Sequence, residues 1–139
     1  VNDQSKIHIT DAEWGVMEGV WRADDQTAGD VLAGVTAKKR SHRTLRTLLA
    51  RLVEKGAVKV RVDGSQYRYT AAVTREACIR SAARSFAERF FNGNVHSLLS
   101  HFVEYESLTD EEVQQLRRRL ASRETKTTAE RSRKSGKNK

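Results

Sequence analysis

Five apolar residues, Leu45, Leu48, Leu49, Leu52 and Val53, recur at spacings of three, one, three and one, which is one face of an α-helix. Ser41 or Thr44 caps its start, and Lys55-Gly56 supplies a stop, with glycine taking the left-handed closing position. Two β-prone runs follow, 57–62 and 66–70, separated by Asp63-Gly64, a strong hairpin signal. A helix followed directly by a hairpin with a basic tip predicts a winged helix. In that arrangement the helix enters a DNA major groove and the hairpin is the wing.

The charge pattern supports this. Residues 36–70 hold ten Lys or Arg against Glu54 and Asp63, so this window carries +8, the formal net charge of all 139 residues. A basic patch of this kind is the electrostatic footprint of a nucleic-acid surface. Its plainer alternative is a solubilising face on an ordinary helix and hairpin. The first 35 residues hold only Lys6 and Arg22 against seven acidic residues, and that −5 segment is expected to face away from DNA.

Within the basic window the residue types suggest roles. Arg43 and Arg46, three apart on the helix, suit bidentate contacts to guanine, and Thr44 and Thr47 suit packing on a thymine methyl. Lys38, Lys39 and Arg40 are expected on phosphate, with the Ser41 hydroxyl beside them at the helix start. His42 suits either kind of contact. On the hairpin, Lys59 and Arg61 are expected to reach phosphate or the minor groove, while Tyr67 and Tyr69 alternate with Arg68 and are expected to pack the hairpin onto the helix.

The rest of the chain reads as helical. Thr10 and Glu13 form a capping-box pattern ahead of Trp14, Met17, Val20 and Trp21, the tryptophans being expected in the core. A polar break at 22–26 precedes Thr27, a second cap with Asp30 three residues on, and a helix over 28–35. Beyond the hairpin, Thr74 opens a helix with Phe86, Phe90 and Phe91; Asn92-Gly93 breaks it; Val95, Leu98, Leu99, Phe102 and Val103 mark another. Thr109 and Glu112 are again a capping box, ahead of Val113, Leu116 and Leu120. The predicted fold is mainly α. It comprises an N-terminal winged helix-turn-helix with a small β-hairpin wing over 7–71, a C-terminal three-helix dimerisation region over 72–122, and a basic tail over 123–139 whose Ser, Thr, Gly and Lys content predicts disorder.

The segment 71–121 balances seven basic against seven acidic residues. It is too thin for an independent three-helix domain, so Phe86, Phe90, Phe91, Leu98, Leu99, Phe102, Val113, Leu116 and Leu120 are expected to pack against a second copy. Folding back onto the winged unit in a monomer is the alternative.

Several classes are disfavoured. Cys78 is the single cysteine, which excludes an intrachain disulfide and a thiolate cluster. His8, His42, His96 and His101 have no ligand or triad spacing, so neither an enzyme nor a metal or cofactor site is expected. No apolar run is long enough to span a bilayer and no signal-peptide pattern is visible, which predicts a cytoplasmic protein without stable membrane insertion. An aromatic platform for RNA is lacking. Two functional classes then stand: a sequence-specific repressor bound to double-stranded DNA as a homodimer, and a non-specific architectural DNA-binding protein.

Three blocks carry a family resemblance. They are Thr10-Asp11-Ala12-Glu13-Trp14 with Val16-Met17 and Trp21; Arg43-Thr44-Leu45-Arg46-Thr47-Leu48-Leu49 with Arg51-Leu52 and Lys55-Gly56; and 86–91 with Gly93, Ser97-Leu98-Leu99 and His101-Phe102-Val103-Glu104. In this order, from Ile9 to about Leu120, the chain resembles the penicillinase repressors, bacterial regulators of β-lactamase, methicillin-resistance and copper-transport genes. The resemblance implies a homodimeric winged-helix repressor on a palindromic operator with TACA and TGTA elements. It puts Arg43, Thr44 and Arg46 at DNA-facing positions of the recognition helix. It also implies a sensor-protease pathway that inactivates the β-lactam-responsive members by a cut before the phenylalanine matching Phe102. The residue before the cut is His101 here, where those members have asparagine. The family's usual proline ahead of the recognition helix is His42, and the cysteine-rich tail of the copper-responsive members is absent.

Overall fold

The computed structural model describes residues 7–35 and 40–136. It divides into two compact units, residues 1–94 and 95–139.

The first unit begins with α1 (Asp11–Val20), whose N-cap Thr10 accepts from the Glu13 amide at 3.2 Å. Val16, Met17 and Val20 go into the core. The capping box expected at Thr10 and Glu13 is only half made: the Glu13 side chain turns inward and binds Lys55 Nζ at 2.7 and 2.8 Å. Lys55 Nζ also donates to the His8 carbonyl at 3.0 Å. The tryptophans are partly buried, edge to face at 5.3 Å. Each indole N–H is satisfied, Trp14 by Glu18 and Trp21 by the Val73 carbonyl, both at 3.0 Å. Their placement at the core's margin follows from that need for a hydrogen-bond partner.

The polar break hides two elements. Gln26 is buried, and its side-chain amide donates to the carbonyls of Gly19, Val20 and Ala23 at 2.7–3.1 Å, closing the C-terminal end of α1 from outside the helix. Gln26–Thr27 is also a short strand, β1. The Thr27–Asp30 capping box then opens α2 (Ala28–Ala33), with both bonds at 3.2 Å.

Helices α1 and α2 approach so closely at Gly19 that a Cβ there would run into the backbone carbonyl of Val31. Gly19→Ala should therefore cost about 1–3 kcal/mol by overpacking, despite the better helix propensity of alanine. Urea denaturation measures this; an unchanged midpoint would mean that the two helices separate at little cost.

Helix α3 (His42–Glu54) is capped by Ser41, which accepts from the Thr44 amide at 3.2 Å. The predicted stripe is its buried face, with Leu45, Leu48, Leu49 and Leu52 all in the core. Gly56 closes it at φ 82°. The hairpin is β2 (Val58–Asp63) and β3 (Gln66–Ala71), and the sheet order is β1-β3-β2, antiparallel throughout. Asp63 and Gln66 form the last pair, so the loop is Gly64-Ser65. Gly64, at φ 61°, suits the first central position of a type II′ turn.

Helix α4 (Arg75–Phe91), capped by Thr74, sets Ala77, Cys78 and Ala87 inward and ends at Asn92 and Gly93, both left-handed. It belongs to the first unit, which ends at Asn94. Its Cys78 packs into the winged-helix core.

The second unit is α5 (Val95–Tyr105) and α6 (Asp110–Gly136). The Thr109–Glu112 capping box opens α6, with bonds of 2.9–3.2 Å. The helix was expected to stop near Ser122 ahead of a disordered tail; instead it runs to Gly136. Residues 122–135 contain neither glycine nor proline. The hydroxyls of Thr125, Thr127 and Thr128 donate to carbonyls four residues back at 3.0–3.1 Å. Acidic residues in the first turn and Arg133 and Lys134 in the last complement the helix dipole. Polar composition forecasts the lack of a core, and α6 indeed buries nothing, but it does not forbid a helix.

Candidate nucleic-acid interface

Burying the leucine stripe of α3 leaves Ser41, His42, Arg43, Thr44, Arg46 and Thr47 exposed on its other side, with Arg40 just before them. His42, Arg43, Arg46, Thr47 and Ala50 line a shallow groove along that surface. Ser41 and Thr44 hold one another through their hydroxyls at 3.0 Å, and the Thr47 hydroxyl donates to the Arg43 carbonyl at 3.0 Å. These bonds fix the polar side chains at the helix start without engaging either guanidinium. Lys38 and Lys39, assigned to phosphate from the sequence, lie outside the described residues.

On the wing, the register places Lys59, Arg61 and Asp63 opposite Thr70, Arg68 and Gln66 on one face. The other face carries Val58, Val60 and Val62 opposite Ala71, Tyr69 and Tyr67. Tyr69 packs on the core as expected, whereas Tyr67 sits beyond it, exposed.

Arg61, expected to reach phosphate or the minor groove, is ion-paired within the protein. Its Nε and Nη2 donate to the Asp25 carboxylate at 2.8–3.2 Å. That hydrogen bonding, and then the charge of Asp25, holds the guanidinium even more firmly protonated than usual. Arg68 donates to the Asp25 carbonyl at 3.1 Å and lies 3.7 Å from the Asp63 carboxylate. Asp25 belongs to the acidic N-terminal segment expected to face away from DNA, yet it reaches the wing. Its adjacency to Asp24 in a polar break was the only sequence signal.

The residues assigned to dimerisation divide between the units. Phe86 and Phe90 of α4 are exposed, with ring centroids 4.8 Å apart, and Phe91 is half-buried. In the second unit, Leu98 and Val113 are half-buried, while Leu99, Phe102, Leu116 and Leu120 are exposed, Phe102 by 46% and Leu120 by 61%. His101 and Phe102 lie within α5.

Among the described residues no cluster of His, Cys, Asp or Glu has the makings of a metal site, and no helix is long and apolar enough to cross a membrane. Burial pushes the Cys78 thiol up, away from nucleophilic use.

A helix-turn-helix with an exposed arginine-bearing third helix, followed by a charged two-stranded wing, defines a winged-helix DNA-binding regulator. Comparison with known proteins agrees. The penicillinase repressor family model matches residues 9–122, and the chain belongs to that family of transcriptional repressors, which are not enzymes. Among its relatives, the methicillin resistance regulatory protein MecI of Staphylococcus aureus strain N315 is 29% identical over 116 residues, 83% of this chain and 94% of MecI. The penicillinase repressor of Bacillus licheniformis is 31% identical over 109 residues, 78% of this chain and 85% of the relative. The solution structure of the DNA-binding domain of the repressor BlaI is 28% identical, with a TM-score of 0.45, covering 51% of this chain and 88% of that one.

Proposed function

We propose that this DNA-binding repressor works in the cytoplasm as a homodimer on a palindromic operator with TACA- and TGTA-like half-sites. In this reading Arg43, Thr44, Arg46 and Thr47 face base edges. Arg40, Ser41, His42 and Lys59 hold phosphate, with Lys38 and Lys39 assigned there from sequence alone. The observation that carries the reading is the division of α3: four leucines committed to the core, and an opposite side on which the Arg43 and Arg46 guanidiniums make no hydrogen bond or ion pair among the described residues. Free guanidiniums on a rigid helix suit bidentate recognition of guanine.

Dimerisation is supported by the exposed phenylalanines and leucines of α4, α5 and α6. A second copy supplies a covering surface and sets two recognition helices at fixed spacing. Release from the operator is proposed to follow cutting between His101 and Phe102 by a sensor-protease pathway. The bond lies within a helix, so cleavage requires local opening of α5.

The test is Arg46→Ala against cognate and base-substituted operators. The expected result is a loss of about 1–3 kcal/mol on the cognate site and relaxed choice at one position per half-site. An unchanged preference ratio would remove Arg46 from the base contacts. Equal binding of the parent protein to operator and scrambled DNA would instead favour the architectural class.

A further inference from the structure

We propose that Asp25 is a positioning residue that sequesters the wing arginine Arg61 and so limits binding to DNA of arbitrary sequence. The proposal deepens the DNA-binding reading and rests on it.

The geometry is that of a fixed clamp. Asp25 sits in the turn before β1 in the left-handed region, at φ 53°. Its backbone is held from the wing on both sides: the amide donates to Thr70 Oγ1 at 3.0 Å, and the carbonyl accepts from Arg68 Nη1 at 3.1 Å. With its main chain anchored, the carboxylate takes the Nε–Nη2 edge of Arg61 through both oxygens. That edge is one a phosphate would otherwise grip in bidentate fashion.

The ladder explains why a carboxylate is needed there. Arg61 and Arg68 are directly opposed across β2 and β3, and like charges in that position repel. Asp25 between them, with Asp63 beside Arg68, neutralises the pair. The polar face of the wing, which by sequence looks strongly cationic, is thus left with Lys59 as its unneutralised charge among these residues. Both members of the Arg61–Asp25 pair are more than half exposed, so freeing the guanidinium puts it straight into solvent, within reach of a polyanion.

The experiment measures binding to a non-cognate duplex over a salt series for the parent, Asp25→Asn, Arg61→Met and the double variant. Asparagine tolerates the left-handed backbone and keeps both main-chain bonds. Asp25→Asn should bind the non-cognate duplex several-fold tighter at low salt. Its slope of log affinity against log salt should steepen by about 0.9, one added phosphate contact. Its advantage over the parent then shrinks roughly threefold between 50 and 200 mM salt. The double variant should return to the parent's affinity and slope, and Arg61→Met alone should leave the slope unchanged because Arg61 is already occupied.

An Asp25→Asn protein with unchanged or weaker non-cognate binding would overturn the proposal, making Asp25 a scaffold or an orienting partner for a contact Arg61 already makes. So would a slope lowered by about 0.9 in Arg61→Met, a result that stands even if Asp25→Asn fails to fold. Failure of the parent to bind any duplex would overturn the DNA-binding reading itself, a distinct outcome.

Discussion

Phe102→Ala should convert the protein toward monomers and weaken its grip on a two-half-site operator by orders of magnitude, while leaving binding to a single half-site nearly unchanged. The reason begins with α5 and α6. Between them they have no buried side chain, although they carry Leu99, Phe102, Val103, Leu116 and Leu120. Helices of this kind gain most of their stability from packing an apolar face, not from propensity. An exposed apolar surface of that extent marks an interaction site, and a second copy provides a self-complementary cover.

A phenylalanine buried at such an interface and cut back to alanine loses about 3–5 kcal/mol, felt once in each protomer. The recognition helix is untouched, so a monomer still reads one half-site. What disappears is the effective concentration of the second helix, an advantage of 10²–10⁴ without any new contact. Cutting the bond between His101 and Phe102 should act the same way, because it severs α5 and with it the covalent link to α6. Sedimentation of parent and variant, paired with one- and two-half-site operators, checks this. A parent that stays monomeric at operator-saturating concentration would refute the account. A monomeric variant with undiminished two-half-site affinity would refute it equally.

What the sequence disclosed, and what it concealed, separates along a physical line. The α3 stripe, the Ser41, Thr27, Thr74 and Thr109 caps and the hairpin all express themselves within a few residues of their own position, and each stands where expected except that the turn falls one residue later, at Gly64-Ser65. The concealed features are long-range. Strand β1 is two residues, too short for any periodicity, and exists because Gln26 and Thr27 pair with Tyr69 and Arg68. Arg61 looks free until Asp25, 36 residues earlier, is folded against it. Likewise Glu13 has the local signature of a capping box, but Lys55, 42 residues on, claims its carboxylate. A pattern such as Thr-x-x-Glu establishes a helix start; it cannot say which of two partners the glutamate takes.

That last pair bears on how α3 is held. Lys55 is the C-cap of α3, and Glu13 lies in the first turn of α1, so their bond pins the end of α3 to the scaffold. The pair is asymmetric: the Glu13 side chain is 3% exposed and that of Lys55 34%. Removing each partner should therefore have unequal effects. Lys55→Met leaves the buried Glu13 carboxyl without its partner and should cost about 3 kcal/mol, the low end for a buried pair because the lysine is part-solvated. For a unit of this size the melting temperature should fall by about 12–24 °C. Glu13→Gln lets the lysine retreat into water and should cost about half as much, the worth of a charged hydrogen bond of roughly 1.5 kcal/mol. Both variants keep the side chains proposed to face DNA, so cognate and non-cognate affinities should drop together, without change of preference. Thermal denaturation of the two variants beside the parent decides the first point. A Glu13→Gln protein less stable than Lys55→Met would show that the carboxylate is better solvated than its burial implies, and losses near zero in both variants would leave the hold on α3 to packing of the leucine stripe alone.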